Sequence, residues 1–270
     1  MIKIKNKYFN TYPVVFHHNG RPSLFQHPSG VALKRKVFNY FSDGTLNTFR
    51  CRKSKTNYPI PAISNEFNEL SKKITIFMVT NLKEKGSAAR SLDYYNIPYT
   101  IGGKDIVHYS HLEKFKTLID FIPSVETEYM ILFDSDDVFV IDGLDQVVDT
   151  FEEEMDCKML FNAEGWNYPK GLDKEQTEFE LSVAPEDSPF KFLNSGVWIA
   201  NTKFLKEHLQ ELSNLESYSP NDQGIFKRFY KMFYPKIKID HKCKYFQSLP
   251  WTPWFEKHYP SRLDMEVEIS

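Results

Sequence analysis

From Lys73 onward, short apolar runs alternate with stretches in which apolar residues recur at helical spacing. "ITIFMVT" (74–80) is a β-branched run closed by a polar turn, as expected of a strand buried on both faces. "GSAARSLDYYN" reads as a helix, and "IPYTIGG" as a short strand ended by glycines. Leu112, Phe115, Leu118, Ile119 and Ile122 then give one apolar helical face. Further strands are expected in "EYMILFDSDDV", "KMLFNAE" (158–164) and "FLNSGVWIAN" (192–201), with a late one in "KIKID". "NTKFLKEHLQEL" and "DQGIFKRFYKMFY" read as amphipathic helices. The alternation predicts an α/β chain with a mixed, mainly parallel sheet flanked by helices, Rossmann-like in its layering.

Residues 1–72 follow a different pattern. A short β-rich piece, "YPVVFHHNG", precedes a stretch dense in Asn, Ser, Lys and Pro that includes "NYPIPAISN". Prolines at 59 and 61 argue against regular structure there, so 21–72 reads as an arm that wraps the core. The division expected is therefore 1–72, strand, loop and arm, and 73–270, the α/β domain. The arm either gates a site or joins two copies in a homodimer.

Composition narrows the function classes. With 270 residues, 41% hydrophobic and 16% aromatic, the chain can bury one or two cores. A net charge of -2 and dispersed basic residues give no field for nucleic acid or an anionic membrane. "KRK" (34–36) and "CRKSK" (51–55) read as solvated loops. The three cysteines, Cys51, Cys157 and Cys243, are far apart and lack a C-x-x-C pair, so neither a zinc ribbon nor a disulfide framework is expected. Nothing in the sequence resembles a signal peptide or the roughly 20 apolar residues of a membrane span, and the chain as written reads as soluble and cytoplasmic.

The chemistry gathers at "YMILFDSDDV" (129–138), where an apolar strand runs into Asp134, Ser135, Asp136 and Asp137. Ligands of open α/β sheets sit beyond the carboxyl ends of strands. Clustered carboxylates repel one another unless a hard cation such as Mn²⁺ or Mg²⁺ neutralises them, and such a cation also grips phosphate. Three readings stay open on these residues alone: a solvated acidic turn, a haloacid-dehalogenase-like phosphatase using Asp134 and Asp136, and a metal-dependent nucleotide-sugar transferase. The phosphatase motif normally follows the first strand and needs a later acidic pair, and no convincing one is present.

Taken in order, "LFDSDDV", "LFNAEGW", "FLNSGVWIA", "NDQGIFKRFY" and "IDHKCKYFQSL" resemble the glycosyltransferase domain of the procollagen lysyl hydroxylase/collagen glucosyltransferase family, over about residues 74–250. The resemblance implies a GT-A-like fold. It assigns Asp134 and Asp137 to the metal and diphosphate, and Val79 and Thr80 to a uridine-binding turn. Lys114 falls near the donor. Where the family has a tyrosine against the nucleotide, this chain has Asp136. Asn194, Ser195 and Gly196 supply amide, hydroxyl and close backbone approach for sugar hydroxyls. Glu164 and Trp166 offer an acceptor and a flat wall, although Trp166 also suits a core. Asn221 and Asp222 match a family Asp-Asp pair beside the transferred sugar. Asp222 is the carboxylate expected near the anomeric carbon, or alternatively a helix N-cap.

One family element, a histidine-bearing "H-G-N-G" after the last strand, is missing from its usual place. "PVVFHHNG" (13–20) looks like the same strand and loop moved to the front, as in a circular permutation. His17 is then the third metal ligand, with Asn19 and Gly20 at the donor. His241 is the rival ligand, and His108 and His111 read as surface residues.

The family implies an Mn²⁺-dependent hexosyltransferase that uses UDP-glucose or UDP-galactose on hydroxylysine or galactosyl-hydroxylysine of collagen-like protein. No H-x-D of a ferrous hydroxylase accompanies it, so a stand-alone transferase is expected. A non-catalytic nucleotide-sugar-binding relic stays open, because Asp136 and Asn221 depart from the pattern.

Overall fold

A computed structural model describes residues 2–17, 66–141, 143–169, 174–249 and 265–269. Strands are β1 (Ile2–Asn6), β2 (Val15–His17), β3 (Ile74–Val79), β4 (Thr100–Gly102), β5 (Tyr129–Phe133), β6 (Val138–Val140), β7 (Met159–Glu164), β8 (Phe192–Asn201), β9 (Ile237–Ile239), β10 (Phe246–Ser248) and β11 (Met265–Ile269). Helices are α1 (Glu66–Lys73), α2 (Ser87–Tyr94), α3 (His111–Phe121), α4 (Leu144–Met155), α5 (Lys174–Val183), α6 (Thr202–Glu207), α7 (Leu209–Asn214) and α8 (Asp222–Phe233).

The main sheet has the order β4-β3-β5-β8-β7-β9. All its pairings are parallel except those of β8, which runs antiparallel to both β5 and β7. The mixed, mainly parallel α/β sheet expected from the sequence is therefore present. Strand alternation sends neighbouring residues to opposite cores. Phe77, Val79, Leu132, Phe161 and Trp198 join one core with Phe115 of α3 and Phe226 of α8. Ile76, Met78, Ile131, Phe133 and Ile199 join the other with Leu92 of α2 and Phe151 of α4.

The reversal of β8 is what concentrates chemistry. Its beginning lies where β5 and β7 end, because Val197 pairs with Phe133 and Phe192 with Glu164. Between β7 and β8 the register jumps, from Phe161↔Trp198 to Asn162↔Asn194. Ser195, Gly196 and Val197 are thereby bulged away from β7, a device that re-aims backbone beside functional sites.

A second sheet, β10-β2-β6, lies beside these strand ends. β2, from near the start of the chain, runs parallel to β10 and antiparallel to β6, with His17 opposite Val138 and Ser248. β1 and β11 pair antiparallel.

Three expectations are corrected. Of the 21–72 stretch only 66–72 are described, and they lie in the regular helix α1; 21–65 lie outside the described part, as do 18–20 before them. "NTKFLKEHLQEL" is two short helices, broken at His208, where the backbone leaves helical geometry (φ -112°, ψ 17°). The strand in "EYMILFDSDDV" ends at Phe133 and puts the acid cluster beyond its carboxyl end, as expected, but a second strand, β6, already begins at Val138.

Candidate active site

Asp134 follows β5, and its backbone N–H donates to the Gly196 carbonyl at 2.7 Å, tying the acid cluster to the β8 bulge. His17, buried at the end of β2, brings Nε2 to 3.3 Å from Asp137 Oδ1 and 3.6 Å from Asp134 Oδ2. One potential ligand atom from each of His17, Asp134 and Asp137 lies within 4.8 Å of the others. Among the described residues neither ring nitrogen of His17 makes an aligned hydrogen bond, although Nε2 faces both carboxylates, an arrangement costly for a buried neutral imidazole. Gly196 packs against this group: a Cβ there would lie 2.4 Å from His17 Cε1 and 2.7 Å from Asp134 Oδ2.

Lys114 sits on α3, whose start is set by the N-cap serine Ser110. The Ser110 hydroxyl accepts the Glu113 N–H at 3.1 Å, while the Glu113 carboxylate meets Lys116. His111 and Lys114, three residues apart, therefore share a face. Lys114 Nζ bonds Asp134 and lies 2.9 Å from Asp222 Oδ2, with 3% of the lysine exposed. His111 Nδ1 lies 3.2 Å from the other oxygen, Asp222 Oδ1.

Asp222 opens α8, but the N-cap is Asn221, whose side chain accepts the Gln223 N–H at 2.9 Å. The capping role considered for Asp222 thus falls to its neighbour, and the Asp222 carboxylate is directed to Lys114, His111 and Ser195 Oγ. Gln223, not anticipated from sequence, links three parts of the site. Its amide donates to Glu164 Oε1 at 2.5 Å and to the Tyr168 carbonyl at 2.8 Å, and its oxygen accepts the Ser195 N–H. Asn194 donates to Glu164 at 3.3 Å and accepts from Gly196 N–H at 3.0 Å.

A family model of the PLOD GT domain matches residues 71–252. The chain belongs to this family of glycosyltransferase domains. Among solved structures it is similar to mouse xyloside xylosyltransferase 1 in its apo form, at 14% identity and TM-score 0.30, over 68% of this chain and 63% of that one. It is also similar to the glycosyltransferase GlyE of Streptococcus pneumoniae TIGR4, at 13% identity and TM-score 0.35, over 70% and 49%. The chain thus spans less than two thirds of either structure's length. A comparison with curated proteins finds no match.

The remaining residues assigned through the family fall as follows. Val79 and Thr80 are buried at the carboxyl end of β3, and Thr80 N–H donates to the Gly102 carbonyl at 3.1 Å. Trp166 is 47% exposed, so it is not part of a core. Asn19 and Gly20 lie outside the described residues. His241 holds the Phe190 carbonyl at 2.7 Å through Nδ1 and is not in the group with Asp134 and Asp137. His111, expected as a surface residue, is exposed and also faces Asp222. Its signal was the three-residue spacing to Lys114; its partner, far along the chain, left none.

Electrostatics set the carboxylates apart. Burial raises Glu164 to about 7, against the pull of Lys227, Gln223, His17 and Asn194. Burial also pushes Asp222 upward, but Lys114 and His111 outweigh it and hold this acid well below the usual range. Asp136, at the family's tyrosine position, is raised chiefly by burial, with Asp137 and Asp134 adding to the shift. Burial disfavours charge on His17, yet Asp137, Asp134 and Glu164 together raise it. The donor set of one imidazole and two carboxylates fits a divalent first-row ion better than a structural zinc site, which favours thiolates.

Proposed function

We propose that this domain moves a hexose from a UDP-sugar to an acceptor hydroxyl with Mn²⁺, on a core spanning 73–270 completed by the strand and loop of 1–72. The observation that carries the reading is the convergence of His17, Asp134 and Asp137 beyond the ends of β5 and β2. The buried His17 ring, which faces both carboxylates without an aligned hydrogen bond among the described residues, and the Cβ-free cradle of Gly196 suit an ion between these side chains. Those three residues would hold it, and its chemistry is charge neutralisation on the donor diphosphate as the sugar departs.

The protein's own groups do the rest. Asp222, kept ionised by Lys114 and His111, is suited to stabilise positive charge developing at the anomeric carbon. Asn194, Ser195 and the Gly196 backbone offer sugar-binding contacts, and Glu164, held by Gln223 and Asn194, accepts from a sugar hydroxyl. Val79, Thr80, Asn19 and Gly20 are assigned to the nucleotide side, with Asp136 accepting from ribose or base. Trp166, half exposed, suits the flat face of an acceptor. The pairing of β2 with β10, and of β1 with β11, is what a permuted strand needs. The family points to hydroxylysine or galactosyl-hydroxylysine of collagen-like chains as acceptor.

The test is UDP release from UDP-glucose and from UDP-galactose, with Mn²⁺ or with EDTA, and with peptides carrying hydroxylysine or its galactosyl form. Turnover that needs Mn²⁺ and rises with one peptide supports the reading. No UDP release from either donor with Mn²⁺ present contradicts it.

A further inference from the structure

His111 and Asp222 form a pair to which the reading above gives no part in proton transfer. His111 stands on the first turn of α3, and its Nδ1 lies 3.2 Å from Asp222 Oδ1. The imidazole is 55% exposed while the carboxylate is 3% exposed, so one end of the pair is anchored and the other reaches solvent. A buried carboxylate accepting from Nδ1 fixes the tautomer that leaves Nε2 as the proton acceptor. Asp222 is itself a poor base, because its second oxygen is taken by Lys114 at 2.9 Å and by Ser195 Oγ at 3.4 Å.

We propose that His111, oriented by Asp222, is the general base that removes the proton from the acceptor hydroxyl. This rests on the donor-site reading above and adds the missing proton path. The acceptor O–H proton passes to His111 Nε2 as the acceptor oxygen bonds to the anomeric carbon. The bond from that carbon to the diphosphate oxygen breaks, and its electron pair leaves with UDP. Water serves as the smallest acceptor, so donor hydrolysis reports the same step.

The charges facing His111 are Asp222 from α8, Lys114 from its own helix and Asp134 after β5. Tyr109 lies within electrostatic reach of the last three. The hydrogen bond to Asp222 raises His111 above 6.5, with burial and Lys114 opposing. A base must be unprotonated, so kcat for UDP release rises with pH through this raised value and levels off above it.

The experiment compares wild type with His111→Gln and His111→Asn, using UDP-glucose and UDP-galactose with Mn²⁺, alongside calorimetric binding of UDP. The expected result is UDP affinity within about two-fold of wild type, kcat lower by roughly 100-fold or more, and loss of the acidic limb of the pH profile. Wild-type rates in both variants would overturn the proposal. So would a loss of UDP affinity matching the loss of rate, because His111 would then serve the donor. If wild type itself binds no UDP, the donor-site reading fails first and takes the base with it. The half-exposed position of His111 keeps the fold out of question, and a melting curve for each variant checks this.

Discussion

Gly196 and His17 are in contact so close that no other residue type fits between them: a Cβ on Gly196 would stand 2.4 Å from the imidazole Cε1. The contact joins the β8 bulge to a strand from the opposite end of the sequence. It explains why a glycine ends the Asn-Ser-Gly segment of β8, a point that sugar recognition alone leaves open.

Gly196→Ala should therefore act through His17. The methyl forces the imidazole and Asp134 apart, costing about 1–3 kcal/mol in a packed site and at least ten-fold in Mn²⁺ affinity, read by calorimetry. Combining it with His17→Ala should restore stability while leaving metal binding absent. A single variant with wild-type melting and metal affinity would contradict the packing described.

Lys114 is a buried cation shared by Asp134 and Asp222. Burial disfavours its charge, yet the two carboxylates hold it well above the usual lysine range. Lys114→Met leaves the buried Asp222, among the described residues, with His111 and the Ser195 hydroxyl as partners and without its permanent cation. Urea unfolding in EDTA should show a loss of about 3–5 kcal/mol, the range for stripping one partner from a buried pair. A loss within 0.5 kcal/mol, the ordinary scatter of surface substitutions, would contradict this role.

The chain order of the fold was legible because β3 and β5 are runs that only a twice-covered strand uses, and because Asp134 falls where such a strand must end. Helix α4 was also written in the pattern: Leu144, Val147, Val148 and Phe151 recur at helical spacing and are buried. His17 came from the resemblance, since three residues of strand carry no sign of which sheet they enter. The His111–Asp222 and Gln223–Glu164 contacts were not legible, because each joins elements brought together only by the reversal of β8 and the seating of α3 and α8. Asp136 remained ambiguous for another reason. Whether a carboxylate replaces a ring harmlessly depends on what surrounds it, here Gly86 and the turn at Ser135.

Glu164 gives the protein a pH signature. Its ordinary value is 4.5, and in the fold burial raises it to about 7. A carboxyl raised on folding favours the native state when protonated, so its stabilisation is complete below 4.5 and is lost as pH rises through 7. Between pH 5 and 8 the metal-free protein should lose roughly 3 kcal/mol from this group. Glu164→Gln should remove that difference, so the urea stabilities of the two proteins diverge with pH. Parallel stabilities across the range would show that Glu164 is ionised throughout.

Calorimetric titration of UDP, with Mn²⁺ and then with EDTA, tests the account at its centre. Binding should require Mn²⁺, vanish in Asp134→Ala, weaken at least ten-fold in His17→Ala and persist in His241→Ala. Binding that survives His17→Ala unchanged but fails in His241→Ala, or no binding of UDP under either condition, would contradict it.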